Sequence, residues 1–158
     1  AAPDPGPGDP KLQLRYQAGR AEGEANNLSS RIKIANVGES LIRLRDLEIR
    51  YWFNPDDEGG RAQLLDVDWA SIGKDRVEGK FVKVGPQLSY LSLTFKDGDA
   101  VLKPEESVEV VARIHRDDWS RYDQENDYSF SRSDEEREWK RITAYVAGKL
   151  IWGIEPKL

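Results

Sequence analysis

The sequence predicts an all-β fold, an antiparallel β-sandwich, on three observations. Apolar residues recur at every second position in segment after segment, turn signals separate those segments, and only one stretch has a composition that tempts a helix. Strands with one apolar and one polar face bury the apolar face against a second sheet, which makes a sandwich; jelly-roll and immunoglobulin-like topologies both remain open on this evidence.

The elements follow in order. Residues 1–10, Ala-Ala-Pro-Asp-Pro-Gly-Pro-Gly-Asp-Pro, are expected to be a linker end, because each Pro lacks an N–H and fixes its own φ. Residues 11–158 then form one domain. Leu12, Leu14 and Tyr16 alternate with Gln13 and Arg15, and Ile32 and Ile34 alternate with Arg31 and Lys33. Leu47, Ile49, Tyr51 and Phe53 alternate with Glu48, Arg50 and Trp52. Val108, Val110, Ala112 and Ile114 oppose Glu109, Val111, Arg113 and His115, and Ile142, Ala144 and Val146 oppose Thr143, Tyr145 and Ala147. That period of two belongs to half-buried strands. Asn36-Val37-Gly38, Asn54-Pro55-Asp56, Glu58-Gly59-Gly60, Asp97-Gly98-Asp99, Lys103-Pro104-Glu105 and Ala147-Gly148-Lys149 supply the turns. Residues 132–141 read as a short helical turn or a charged loop.

Composition excludes much. Asp and Glu outnumber Lys and Arg, 29 to 24, so no basic excess exists to neutralise phosphates, and no nucleic-acid partner is expected. No apolar run approaches the ~20 residues that span a bilayer, so no membrane partner is expected. The chain shows no signal peptide as it stands and is expected to be a piece of a longer protein. With no Cys there are no disulfides and no thiol chemistry, and the single His115 rules out a histidine-rich metal site. His115 itself reads as a solvated surface imidazole. Among 29 acidic residues no pair is singled out by a motif for glycosidase work, so the chain is not expected to be an enzyme.

Two signals point to binding. Residues 117–128 concentrate carboxylates, amides and hydroxyls without strand period; such a loop suits calcium, which takes six to eight oxygens at about 2.3–2.6 Å, or is an acidic solvated loop. It is not an EF-hand, since it lacks the glycine at the sixth position. The five Trp cannot all be core residues if the alternation holds, because Trp52 falls opposite Tyr51 and Phe53. A flat indole on a wet face matches the C–H face of a pyranose ring, while ordinary packing of each Trp is the other reading.

The stretch Asp118-Trp119-Ser120-Arg121-Tyr122-Asp123-Gln124-Glu125-Asn126-Asp127-Tyr128-Ser129-Phe130 resembles the D-W-S-x-Y-x-Q-x-N-D-Y-S-F signature of family 3 carbohydrate-binding modules. Residues 143–156, 34–38, 47–53, 79–83 and 102–104 are similar to other parts of that family, in the family's order, so the resemblance covers about residues 11–156. It implies a jelly-roll sandwich of about nine strands, a structural calcium and a flat face that lies on cellulose. The resemblance places calcium ligands at Asn54 and Asp123, through backbone carbonyls, and at Asp56, Asn126 and Asp127, through side chains. It places a planar binding strip at Asp68, Trp69, Arg113 and Trp119, with Asp68 and Trp69 on a loop, and an anchor to a neighbouring glucan chain at Asn26. A shallow groove on the opposite side would involve Arg50, Trp52, Tyr90 and Tyr128.

Two departures accompany the match. Lys74, Asp75 and Arg76 stand where some members supply a further strip Tyr, and Val111 and Asp134 replace an amide and a hydroxyl anchor. The resemblance thus implies a non-catalytic, secreted, extracellular or cell-surface module. It would be monomeric and would anchor covalently linked catalytic or scaffold modules, a cellulase, scaffoldin or sensor, to crystalline cellulose. The alternative is an accessory module of the same family that modulates a fused catalytic domain and binds cellulose weakly or not at all.

Overall fold

Strands form where the alternating segments lie. The computed structural model describes residues 9–19, 23–55, 63–96, 99–131 and 135–157. Among them are β1 (Leu12–Ala18), β2 (Glu24–Ala25), β3 (Leu28–Asn36), β4 (Ile42–Arg43), β5 (Leu47–Phe53), β6 (Gln63–Ala70) and β7 (Val77–Gly85). There follow β8 (Leu88–Phe95), β9 (Val101–Leu102), β10 (Ser107–Arg116), β11 (Tyr122–Asp123), β12 (Arg137–Glu138), β13 (Ile142–Val146) and β14 (Lys149–Trp152). Five of these are two-residue bridges, which leaves the expected nine strands of length.

The strands make two five-stranded sheets, ordered β12-β1-β3-β10-β6 and β14-β13-β5-β8-β7, with every pairing antiparallel. The chain crosses repeatedly from one sheet to the other, as a jelly-roll sandwich does. The inner faces meet in one core: Leu12, Leu14, Tyr16, Ile32, Ile34, Val108, Val110 and Ile114 from the first sheet, and Leu47, Ile49, Tyr51, Phe53, Leu91, Leu93 and Ile142 from the second. Each large apolar side chain buried there contributes about 1.5–3 kcal/mol.

Local chemistry fixes the ends of strands. Asn36 is fully buried; its Nδ2 donates to the carbonyls of Ser40 (2.8 Å) and Leu102 (2.9 Å), and its Oδ1 accepts from Gly38 N–H (3.0 Å). One amide thus satisfies three backbone groups and stitches the Asn36-Val37-Gly38 turn to β9. The β13–β14 hairpin turns on Ala147 (φ 51°) and Gly148 (φ 82°), two successive left-handed residues that match the twist of the flanking strands.

The five Trp divide. Trp52 is buried, against the expectation of a wet-face ring: it points out of the core, but a second layer covers it. Ser129 Oγ accepts from Trp52 N–H (2.7 Å), Ser129 N–H donates to the Trp52 carbonyl (3.0 Å), and Trp52 Nε1 donates to Thr143 Oγ1 (2.9 Å). Trp139 and Trp152 donate their Nε1–H to the carbonyls of Ser129 (2.7 Å) and Trp139 (2.9 Å). Trp69 and Trp119 alone among the Trp are well exposed. The charged segment before β13 carries β12 and a turn from residue 135 onward, while residues 132–134, including Asp134, lie outside the described residues, as do residues 1–8 of the expected linker.

Candidate binding face

The outer face of β10 presents Val111, Arg113 and His115, because Val110, Ala112 and Ile114 point into the core. On β6 their cross-strand partners are Trp69, Asp66 and Leu64. The register slips between Val111 and Ala112: Val111 faces Trp69 while Ala112 faces Val67, so Asp68 is the extra residue of a bulge. The bulge gives Asp68 and Trp69, neighbours in sequence, the same exposed side of the sheet. Their expected loop is therefore the bulged end of a strand.

Asp68 and Arg113 pair on this face. Arg113 Nε lies 2.9 Å from Asp68 Oδ2 and donates to Oδ1 at 3.2 Å, and Arg113 Nη2 lies 3.6 Å from Asp66 Oδ2. A guanidinium held by carboxylates is flat, with apolar faces above and below its plane and its polar contacts at its rim.

Trp119 arrives from the turn after β10. Its backbone is left-handed (φ 56°), its N–H donates to the Arg116 carbonyl (3.1 Å), and Asp118 Oδ1 accepts from Ser120 N–H (3.0 Å). Buried Arg116 braces this turn by donating from Nη1 to Ser120 Oγ (3.0 Å) and the Arg121 carbonyl (2.7 Å). The indole lies flat on His115, with ring centroids 3.7 Å apart and planes 3° from parallel, and the Arg113 Cζ is 5.9 Å from its centre. The His115 side chain is only 8% exposed, so the solvated imidazole expected from alternation is instead roofed by Trp119. The strip residues Asp68, Trp69, Arg113 and Trp119 thus come together on one face, with 47% of Trp69 and 42% of Trp119 exposed. Asn26 sits just before β3; its Oδ1 accepts from Asn27 Nδ2 (2.9 Å) and it is half-buried.

On the opposite sheet Arg50 lies between two aromatic rings, its Cζ 4.4 Å from the centre of Tyr90 and 4.2 Å from that of Tyr145. Arg50 also donates to both oxygens of Glu48 (3.0 and 3.2 Å), and Trp52 packs on Tyr90 with centroids 4.8 Å apart. Arg50, Trp52 and Tyr90 are therefore brought together, with Trp52 as a covered wall. Tyr128 precedes Ser129, which bonds Trp52, and its hydroxyl donates to the Ile154 carbonyl. Sequence reasoning missed Tyr145, Glu48 and Glu155, although Tyr145 shares the parity of Thr143 on β13. The Tyr145 hydroxyl donates to Glu155 Oε2 (2.8 Å), and its pKa is pushed up to about 12, first by burial.

The acidic loop meets the end of β5. Asp127 Oδ1 accepts from Asn54 N–H (2.8 Å), and Asp127 is buried. Asp123 Oδ1 caps the following one-turn 3-10 helix, Gln124–Asn126, by accepting from Glu125 N–H (3.0 Å). Among the described residues no three carboxylate, imidazole or thiol side chains cluster as metal ligands, so an ion here would rest on mixed carboxylate, amide and carbonyl oxygens. Hard oxygen donors of this kind, the buried Asp127 carboxylate among them, are the type that calcium takes. Asp56 lies outside the described residues.

A family model described as "Cellulose binding domain" matches residues 13–153. The chain belongs to this family, family 3 of the carbohydrate-binding modules. Its members are binding modules, and carbohydrate binding is the activity they share. Among similar proteins, beta-mannanase/endoglucanase A of Caldicellulosiruptor saccharolyticus is 38% identical over 92% of this chain and 11% of its own length. Anti-sigma-I factor RsgI4 of Acetivibrio thermocellus is 36% identical over 94% of this chain and 29% of its own. The module therefore spans less than a third of these relatives. Among solved structures, a biomass sensing module of an RsgI-like protein of Clostridium thermocellum superposes with a TM-score of 0.86 at 36% identity, covering 92% of this chain and 99% of that one. The CBM3b of the major scaffoldin subunit ScaA from Acetivibrio cellulolyticus gives 0.85 at 34% identity, covering 92% and 97%.

Two features bear on how strongly the module binds. Lys74–Arg76, where some members carry a strip Tyr, forms an exposed one-turn 3-10 helix after Gly73 (φ 100°). Val111 lies on the outer face directly across from Trp69, an apolar side chain where the family pattern has an amide.

Proposed function

We propose that this module binds crystalline cellulose through Trp69, the Asp68–Arg113 pair and Trp119, and so holds a larger extracellular or cell-surface protein on its insoluble substrate. The observation that carries this reading is the exposure of two indoles and a carboxylate-held guanidinium on the outer face of one sheet. These plates suit the C–H faces of successive sugar rings, whereas a deep pocket would suit a chain end. Its benefit is effective concentration: a tethered catalytic, scaffold or sensing partner meets the polymer more often without any chemistry by the module. Calcium at Asn54, Asp56, Asp123, Asn126 and Asp127 would join the β5 end to the signature loop, and the module would act as a monomer.

The charged turn at Lys74–Arg76 and Val111 favour a second reading, an accessory module that modulates a fused enzyme with little cellulose affinity of its own. Co-sedimentation with microcrystalline cellulose separates the two. The strip reading expects the unaltered module in the pellet and a W69A/W119A double variant in the supernatant; equal retention of both would remove the strip from the account.

A further inference from the structure

We propose, resting on the cellulose-binding reading above, that His115 is a positioning residue of the strip: it fixes the Trp119 indole as a flat plate and, through Asp66, ties that plate to Arg113. Three contacts converge on its ring. Trp119 covers one face at 3.7 Å, Nδ1 lies 2.9 Å from the Arg116 carbonyl oxygen, and Nε2 lies 2.9 Å from Asp66 Oδ2. The same Arg116 carbonyl accepts the Trp119 N–H, so one oxygen sets both the ring beneath the plate and the backbone that carries it. Asp66 Oδ2 in turn faces Arg113 Nη2 at 3.6 Å, and Arg113 holds Asp68. The chain Trp119–His115–Asp66–Arg113–Asp68 therefore spans the strip, leaving only Trp69 to its own support.

Both ring nitrogens meet oxygen acceptors, the Arg116 carbonyl at one edge and the Asp66 carboxylate at the other, which holds the plane of the ring beneath the indole. On the β3 side, Ser29 and Leu28 stand opposite the neighbouring Arg113 and Ile114.

Because this is the only histidine, its ring protons are unambiguous by NMR in the isolated module. Stacking predicts upfield-shifted ring protons that return to ordinary positions in W119A. On microcrystalline cellulose, H115A is expected to bind about two- to tenfold more weakly with a melting temperature close to the parent's, and H115F, which keeps a flat ring under the indole, to recover much of the loss. Unshifted ring protons overturn the proposal, as does H115A with full affinity or H115F as weak as H115A. Should H115A not fold, the ring shifts and H115F decide. Shifted ring protons in a module that ignores cellulose would support the positioning and refute the cellulose reading.

Discussion

Removing the outer ring of the strip tests its energetics. Trp119→Ala deletes an indole that is 42% exposed. A Trp buries up to about 250 Å², so about 100 Å² of ring stands ready to be covered, worth about 2.5 kcal/mol at ~25 cal/mol per Å². The ring is already ordered by His115 and by the Arg116 carbonyl, so little of that gain is spent on fixing its rotamer. Only the face turned away from His115 meets the ligand, which brings the expected loss to about 1–2 kcal/mol, or roughly five- to thirtyfold in Kd. An adsorption isotherm on microcrystalline cellulose reads this directly, with a thermal melt as control. The indole's exposure predicts a melt near that of the parent. Unchanged affinity would refute the reasoning, and so would a loss of affinity matched by a collapse in melting temperature.

Other expectations follow from buried polar groups. Asn36→Ala strips partners from the Ser40 and Leu102 carbonyls and from Gly38 N–H, and should lower unfolding free energy in urea by about 2–4 kcal/mol; a loss below about 1 kcal/mol would contradict the bracing role. Chelation should lower the melting temperature, added calcium should restore it, and D127N should abolish the difference; identical melts with and without chelator would remove the ion from the account. Burial raises the pKa of Tyr16, Tyr51 and Tyr145, the last to about 12. A raised folded pKa favours the folded, protonated state, so stability from Tyr145 is complete below about pH 10 and is lost as pH rises through about 12. Ultraviolet titration should show phenols ionising late, and Y145F should remove one of them; six phenols titrating together near the ordinary value would exclude the buried arrangement.

Alternation specified which way a side chain points, and for the core that was sufficient: Leu14, Ile34, Phe53 and Ile142 lie where their parity puts them. Parity is silent on what covers an outer face. Trp52 points outward but is roofed through Ser129, some 77 residues away, and His115 points outward but is roofed by Trp119. The bulge at Asp68 was also illegible, because an inserted residue breaks the very period used to read the strand. The two-residue bridges β2–β11 and β4–β9 carry too few residues for any period to appear. The strip residues were identified through their likeness to the family signature, and the geometry then joined them by the Asp68–Arg113 contact. Asp66, His115 and Tyr145, which no signature named, became visible only once neighbouring strands were in register.

The most direct measurement is the adsorption isotherm of the unaltered module on microcrystalline cellulose. Saturable depletion from solution, undiminished by an excess of a non-binding protein, is the result expected of a strip built from Trp69, Asp68–Arg113 and Trp119. A module that stays in solution at every loading would contradict the account and leave the accessory role in its place.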